Sequence, residues 1–190
     1  MSAVGAGRTK LAEGHGGKII AKGDGRTIVA DGDGGTMIDR DALRDFYDDY
    51  YSVLDDLRLA EWPEFFTEDC IYRIIPRENY EAGYTLSTVY AESRGMLVDR
   101  VMGLTRTQMY APRYYRRFPG PPRIVSRAGD TVRARHNLLM VQTLIDKKTE
   151  IVLSAVCHDL LVLDEERLRL RERIVVFDSE MLPNSLIYPA

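Results

Sequence analysis

The chain has 190 residues, 45% of them hydrophobic and 29% charged, with a formal net charge of -3. That is enough polypeptide to bury one core, and its acidity argues against general affinity for nucleic acid. No apolar run approaches the roughly 18 residues that cross a bilayer, and glycines break up any charged-then-apolar leader, so the expected compartment is the cytoplasm, with neither membrane nor nucleic acid as a partner.

Residues 1–36 form a segment of their own, holding ten of the fifteen glycines. Glycine this dense loses too much entropy on ordering to build a core. The runs Lys18–Lys22 and Thr27–Asp31 predict at most a weak hairpin that pairs on a partner. The predicted division is therefore a flexible extension, 1–36, and a folded domain, 37–190.

From Asp39 the pattern turns helical. Asp39 or Asp41 can cap the start. Leu43, Phe46, Tyr47, Tyr50, Val53, Leu54 and Leu57 recur on one face, while Asp45, Asp48, Asp49, Asp55 and Asp56 lie opposite as a solvated acidic face. A second short helix is predicted over Ala60–Phe66, with Pro63 in its first turn and Trp62, Phe65 and Phe66 aimed at the core. A strand follows over Cys70–Ile75 and stops at Pro76. A looser extended stretch covers Tyr84–Ala91, and another helix carries Met96, Leu97, Val101, Met102 and Leu104.

Between Asp99 and Asp130 there is no acidic residue, but there are seven arginines, with Tyr110, Tyr114, Tyr115 and Phe118 among them. A basic, aromatic, proline-stiffened loop on an acidic protein reads as a docking surface, because Tyr and Arg anchor protein interfaces. The competing reading pairs these arginines with the nearby acidic helices. Three long strands close the chain, over Thr131–Ile145, Glu150–Leu163 and Leu168–Asp178, with turns at Asp146-Lys147-Lys148 and Asp164-Glu165-Glu166. Helices first and long strands later give an α+β fold, with N-terminal helices packed on a strongly curved, mostly antiparallel sheet. In the last strand Leu168 and Leu170 face inward and the arginines outward.

A curved sheet closed by helices makes a cone whose interior can be a pocket. Its candidate polar groups are Tyr72, His136, His158, Asp159 and Arg173. His136 and His158, on neighbouring strands, are placed to face each other, whereas His158 and Asp159 point to opposite faces. One histidine with a tyrosine or aspartate could do acid–base work. Iron held by two histidines and a carboxylate needs convergence that this spacing does not give. Cys70 and Cys157 are far apart and read as buried apolar residues.

Several of these pieces, in this order, resemble the small (β) subunit of aromatic-ring-hydroxylating dioxygenases: Trp62, Phe65, Phe66, Asp69 and Tyr72; Asp99-Arg100; Tyr110–Arg117; and Leu168–Ile174 with Asp178-Ser179. The resemblance runs from Phe46 to Pro189 and is similar in detail to the terephthalate- and salicylate-type oxygenases. It implies a cone fold of the ketosteroid-isomerase and cystatin-like kind and a non-catalytic role in aromatic catabolism. It also implies a trimer of this chain within an α3β3 assembly, whose α subunit holds a Rieske [2Fe-2S] cluster and a mononuclear Fe(II), fed from NADH by a separate reductase. No cofactor, metal or catalytic residue is expected in this chain, and two cysteines and three histidines at these spacings cannot hold a Rieske cluster. The expected subunit contacts are Asp99, Arg100, Arg113, Tyr114, Tyr115, Arg116 and Arg117. The chain departs from many members, which have a histidine after the arginine in the basic loop where this chain has Arg116-Arg117-Phe118, and residues 1–36 match nothing in the shorter members. The alternative is a stand-alone isomerase or dehydratase of the same cone, using Tyr72, His136 or His158 in an open pocket.

Overall fold

The computed structural model describes residues 17–23, 26–31, 36–107, 112–164, 167–179 and 188–190. The glycine-punctuated runs form β1 (Gly17–Gly23) and β2 (Arg26–Asp31), paired antiparallel, with a short β3 (Thr36–Met37) added to β2. The hairpin expected to form only on a partner thus closes within the chain, through backbone pairing of the two runs.

Asp39 begins α1 (Arg40–Asp55), its side chain accepting from the Ala42 amide at 2.8 Å. Leu43, Phe46, Tyr47, Tyr50, Tyr51, Val53 and Leu54 are buried, which adds Tyr51 to the predicted face. Leu57 leaves it, because the chain turns left-handed there (φ 58°) and turns Leu57 out to solvent. The predicted second helix is only a 3-10 turn, Trp62–Phe65. Four residues around Pro63 are too few to close α-helical hydrogen bonds. Its Trp62 is fully buried and donates Nε1–H to the Tyr50 hydroxyl at 2.9 Å.

The backbone then enters β4 (Phe66–Pro76), four residues before the predicted start. Glu68 and Asp69 hide that start by breaking the alternation. Two small elements follow, α2 (Arg77–Glu81) and β5 (Val89–Ala91), then α3 (Arg94–Met102), capped by Ser93 and continued by a π turn, Gly103–Thr107.

Where it is described, the arginine- and tyrosine-rich run is strand and not loop; Tyr110 lies outside the described residues. Arg113–Pro119 is strand β6 and Arg123–Ala128 is β7, both laid along one edge of β8 (Thr131–Leu144). Charged residues mask the period of two in β6, yet Tyr115 and Arg117 point inward and Tyr114, Arg116 and Phe118 outward. The remaining strands, β9 (Glu150–Asp164) and β10 (Arg167–Phe177), fall within a residue of their predicted bounds. The large sheet runs β5-β4-β10-β9-β8-β6, antiparallel except where β10 lies parallel to β4. α1 and the 3-10 turn close the concave side, and the core joins their aromatic rings to Tyr72, Leu138, Met140, Leu170 and Val175.

One irregularity sets up the interior. The pairing of β10 slips between Leu170 and Glu172 against both neighbours, and against β9 it leaves Arg171 as an extra residue. Strict alternation after Leu168 and Leu170 would point Glu172 inward. The slip turns Arg173 inward instead, so the expectation that the arginines of this strand all face out fails at Arg173, which is fully buried.

Candidate functional site

The polar groups inside the cone come from four elements. α1 supplies Tyr47, Tyr50 and Tyr51, β8 and β9 supply His136, Cys157 and Asp159, and the bulged β10 supplies Arg173. The His136, Asp159 and Arg173 side chains are each 0% exposed. Arg173 Nη1 lies 3.3 Å from Asp159 Oδ2, and the Tyr47 hydroxyl donates to the same oxygen at 2.7 Å. Arg173 Nη2 donates to the Tyr51 hydroxyl oxygen. That oxygen is therefore free to give its own proton to His136 Nε2, 2.7 Å away. The network so assigns the His136 proton to Nδ1, which faces Asp159 Oδ2 at 3.6 Å. The result is a ring of four side chains, Arg173–Tyr51–His136–Asp159, with Arg173 also stacked over the Tyr50 ring at 4.4 Å.

Burial dominates the electrostatics. It pushes the His136 imidazole well below its ordinary range, and the nearby Arg173 charge pushes the same way, so His136 is neutral. Burial also raises the Asp159 carboxyl, opposed by Arg173 and by the Tyr47 hydrogen bond. Arg173 loses solvation too, but Asp159 and the surrounding tyrosines more than offset that, so it stays charged. Burial raises the Cys157 thiol to about 12 and Cys70 to about 11, which leaves both as inert packing residues.

A pH dependence follows. The unfolded chain takes up a proton on His136 below about pH 6.5, whereas the folded chain refuses it. Stability is therefore complete above that value and falls as pH drops below it. His158, lowered by partial burial and by Arg135, acts in the same direction. Asp159, raised in the fold, acts in the opposite sense. The urea midpoint should stay flat above about pH 7.5 and fall between about pH 7 and about pH 5.5, and His136→Gln should flatten that fall.

The structure separates the pocket candidates. His136 pairs across the strands with Cys157, and His158 with Arg135, so the two histidines occupy opposite faces of the sheet and do not face each other. His158 instead stacks on Tyr80, with ring centroids 5.4 Å apart. The histidine partner of Asp159 is His136, a pairing that sequence reasoning missed. Tyr72 is taken up elsewhere, by Ala190. A recess of about 300 Å³, bounded by Gly120, Pro121, Arg123, Arg135 and Asn137, reaches His136 where β6 and β7 part. The imidazole itself remains sealed. With His136 inside and His158 outside, the folded histidines do not fit a two-histidine, one-carboxylate iron site. Among the described residues no three metal-ligating side chains gather.

The docking candidates are also split. Asp99 and Arg100 sit on α3, beside β4 and β5. Arg113, Tyr114, Tyr115, Arg116 and Arg117 sit on β6, at the opposite edge of the sheet. Tyr115 and Arg117 are buried, so neither presents a contact surface. Arg117 holds Asp55 at 2.6 Å, which takes Asp55 out of the solvated acidic face predicted for α1. Tyr114 and Phe118 are 63% and 57% exposed. They share a face with Leu139, Val141 and Ile151, because directly paired residues point the same way. Arg116 reaches back to the Asp55 carbonyl from that face.

A cone of helices on a curved sheet, with its interior filled by linked side chains, matches the SnoaL-like domain model over residues 35–174. The chain is 31% identical over 140 residues to the anthranilate 1,2-dioxygenase small subunit of Burkholderia cepacia, covering 74% of this chain and 87% of that one. It is 30% identical over 153 residues to a β subunit of the terminal oxygenase component of terephthalate 1,2-dioxygenase from a Comamonas species, covering 80% and 99%. The β subunit of a provisionally assigned aromatic-ring-hydroxylating dioxygenase from Novosphingobium aromaticivorans superposes with a TM-score of 0.72 at 32% identity, covering 78% and 94%. The chain is a member of the SnoaL-like domain family. Within it, the chain belongs to the small (β) subunits of aromatic-ring-hydroxylating dioxygenases.

Proposed function

We propose that this chain is the non-catalytic small subunit of a multicomponent aromatic-ring oxygenase and that it stabilises an assembly with a larger catalytic α subunit. The observation that carries this reading is the sealed interior. The one acid–base constellation among the described residues, His136 with Asp159 and Tyr51, is closed from solvent and tied to a buried arginine. A catalytic pocket must admit its substrate, and this one is filled by its own side chains. The same observation weighs against the stand-alone isomerase or dehydratase, which requires an open pocket beside a histidine.

The finer reading follows the relatives. The α subunit carries the Rieske cluster and the mononuclear iron, a reductase supplies electrons from NADH, and three copies of each chain assemble in the cytoplasm. An aromatic carboxylate is the substrate class, supported by relatives named for anthranilate and terephthalate. The domain proper begins near residue 37, after an N-terminal extension, supported by a family match that begins at residue 35. Asp99, Arg100, Tyr114 and Arg116 serve as contacts, while Arg113, Tyr115 and Arg117 hold the contact strand in place. Co-expression with a Rieske-type α chain tests the reading. The expected result is co-elution in equal amounts at the mass of a hexamer, and the contrary result is separate elution with this chain as a monomer.

A further inference from the structure

The segment Tyr188–Ala190 lies inside the mouth of the cone, spanning from β6 to β4 with Pro189 and Ala190 buried. Its polar atoms meet a set of convergent side chains. Arg117 donates Nε–H to the Pro189 carbonyl at 3.1 Å and adds Nη2 to the same oxygen. The Ala190 amide donates to the Tyr72 hydroxyl at 2.9 Å, and the Ala190 carbonyl accepts from Tyr50 at 3.1 Å. The Tyr188 ring packs on Tyr115 with centroids 5.1 Å apart.

These receiving groups come from α1, β4 and β6, far from the segment in sequence, and the Arg117 side chain is 0% exposed. Asp55 neutralises one edge of the Arg117 guanidinium and accepts the Arg117 backbone amide at 3.1 Å, leaving the other edge for a carbonyl. A guanidinium edge and two tyrosine hydroxyls converging in an aromatic recess is the pattern of a ligand site, with a few placed polar groups in an apolar wall. Without the segment, the Arg117 Nε–Nη2 edge would have no acceptor among the described residues, at a cost that buried polar groups rarely carry.

We propose that the cone mouth is a peptide-binding site whose recognition residues are Arg117, Tyr50 and Tyr72, and that residues 188–190 are its resident, exchangeable ligand. The ligand class is a short extended peptide with an aromatic residue, a proline and a small residue, read through two successive carbonyls and one amide. The inference stands apart from the subunit reading, since its tests use the isolated chain and involve neither assembly nor turnover.

The test is a variant lacking residues 188–190, titrated with fluorescently labelled acetyl-Tyr-Pro-Ala. The shortened chain should bind the peptide at least tenfold more tightly than the full chain, and Tyr72→Phe in the shortened chain should weaken that binding severalfold. A folded shortened chain that binds no better than the full chain overturns the proposal. If the shortened chain does not fold, full-length Tyr50→Phe decides, because it removes the shorter of the two bonds to the Ala190 carbonyl and leaves Tyr72, which donates to that carbonyl at 3.4 Å and accepts from the Ala190 amide. Exchange at the Ala190 amide should then rise at least tenfold relative to Val175, and unchanged exchange overturns the proposal.

Discussion

Arg173→Leu should destabilise the isolated chain by about 3–5 kcal/mol, the usual cost of leaving one member of a buried ion pair without its partner. Asp159 would keep the Tyr47 hydrogen bond and the more distant His136 Nδ1, in a place where burial already disfavours its charge. At roughly 3 °C per kcal/mol for a chain of this size, the melting temperature should fall by about 10 °C. The double variant Arg173→Met with Asp159→Leu should recover most of that loss, because removing both charges also removes their desolvation cost. The residue of the loss should be about 1 kcal/mol for each tyrosine hydroxyl left without its partner. A single variant melting within about 2 °C of the native chain would show that the ring of side chains does not hold the cone together.

Glutamates at Tyr114 and Phe118 should leave folding intact and abolish assembly. Both side chains are more than half exposed on the outer face of β6, so the change in stability should stay within about 0.5 kcal/mol per site. Aromatic anchors at the centre of an interface commonly contribute about 2 kcal/mol or more each. Losing two of them, with buried charge added, should weaken association with the partner subunit by at least about a hundredfold. Sedimentation of the purified complex and a thermal melt of the variant chain separate the two effects. Unchanged assembly would move the interface away from β6, leaving the α3 surface with Asp99 and Arg100 as the remaining candidate.

Much of the scaffold is legible from the residues. The three C-terminal strands are long, rich in β-branched residues and bounded by charged turns, so pattern alone places them. The buried stripe of α1 follows from its spacing, and the Asp39 cap from its side chain. The site is far less legible, for two local reasons. The slip at Arg171 reverses the parity of β10, and no period-two reading can bring Arg173 inside without it. On β6, buried Tyr115 and Arg117 alternate with exposed Arg116 and Phe118, so both faces look alike in composition. An arginine whose charge is met by a helix aspartate sixty-two positions away cannot be told from a solvated one by sequence. A usable signal did exist in α1. Tyr47, Tyr50 and Tyr51 lie on or beside its buried face, and buried hydroxyls need partners, which points to polar groups across the cone.

The central claim is that this chain supports catalysis by a companion and performs none itself. Metal analysis and arene turnover of the purified chain, measured alone and again after reconstitution with its α subunit, test it most directly. The account predicts no bound iron and no product from the chain alone, and product with the α subunit present. Iron bound in equal amount to the isolated chain, or conversion of an arene by that chain unaided, would contradict it.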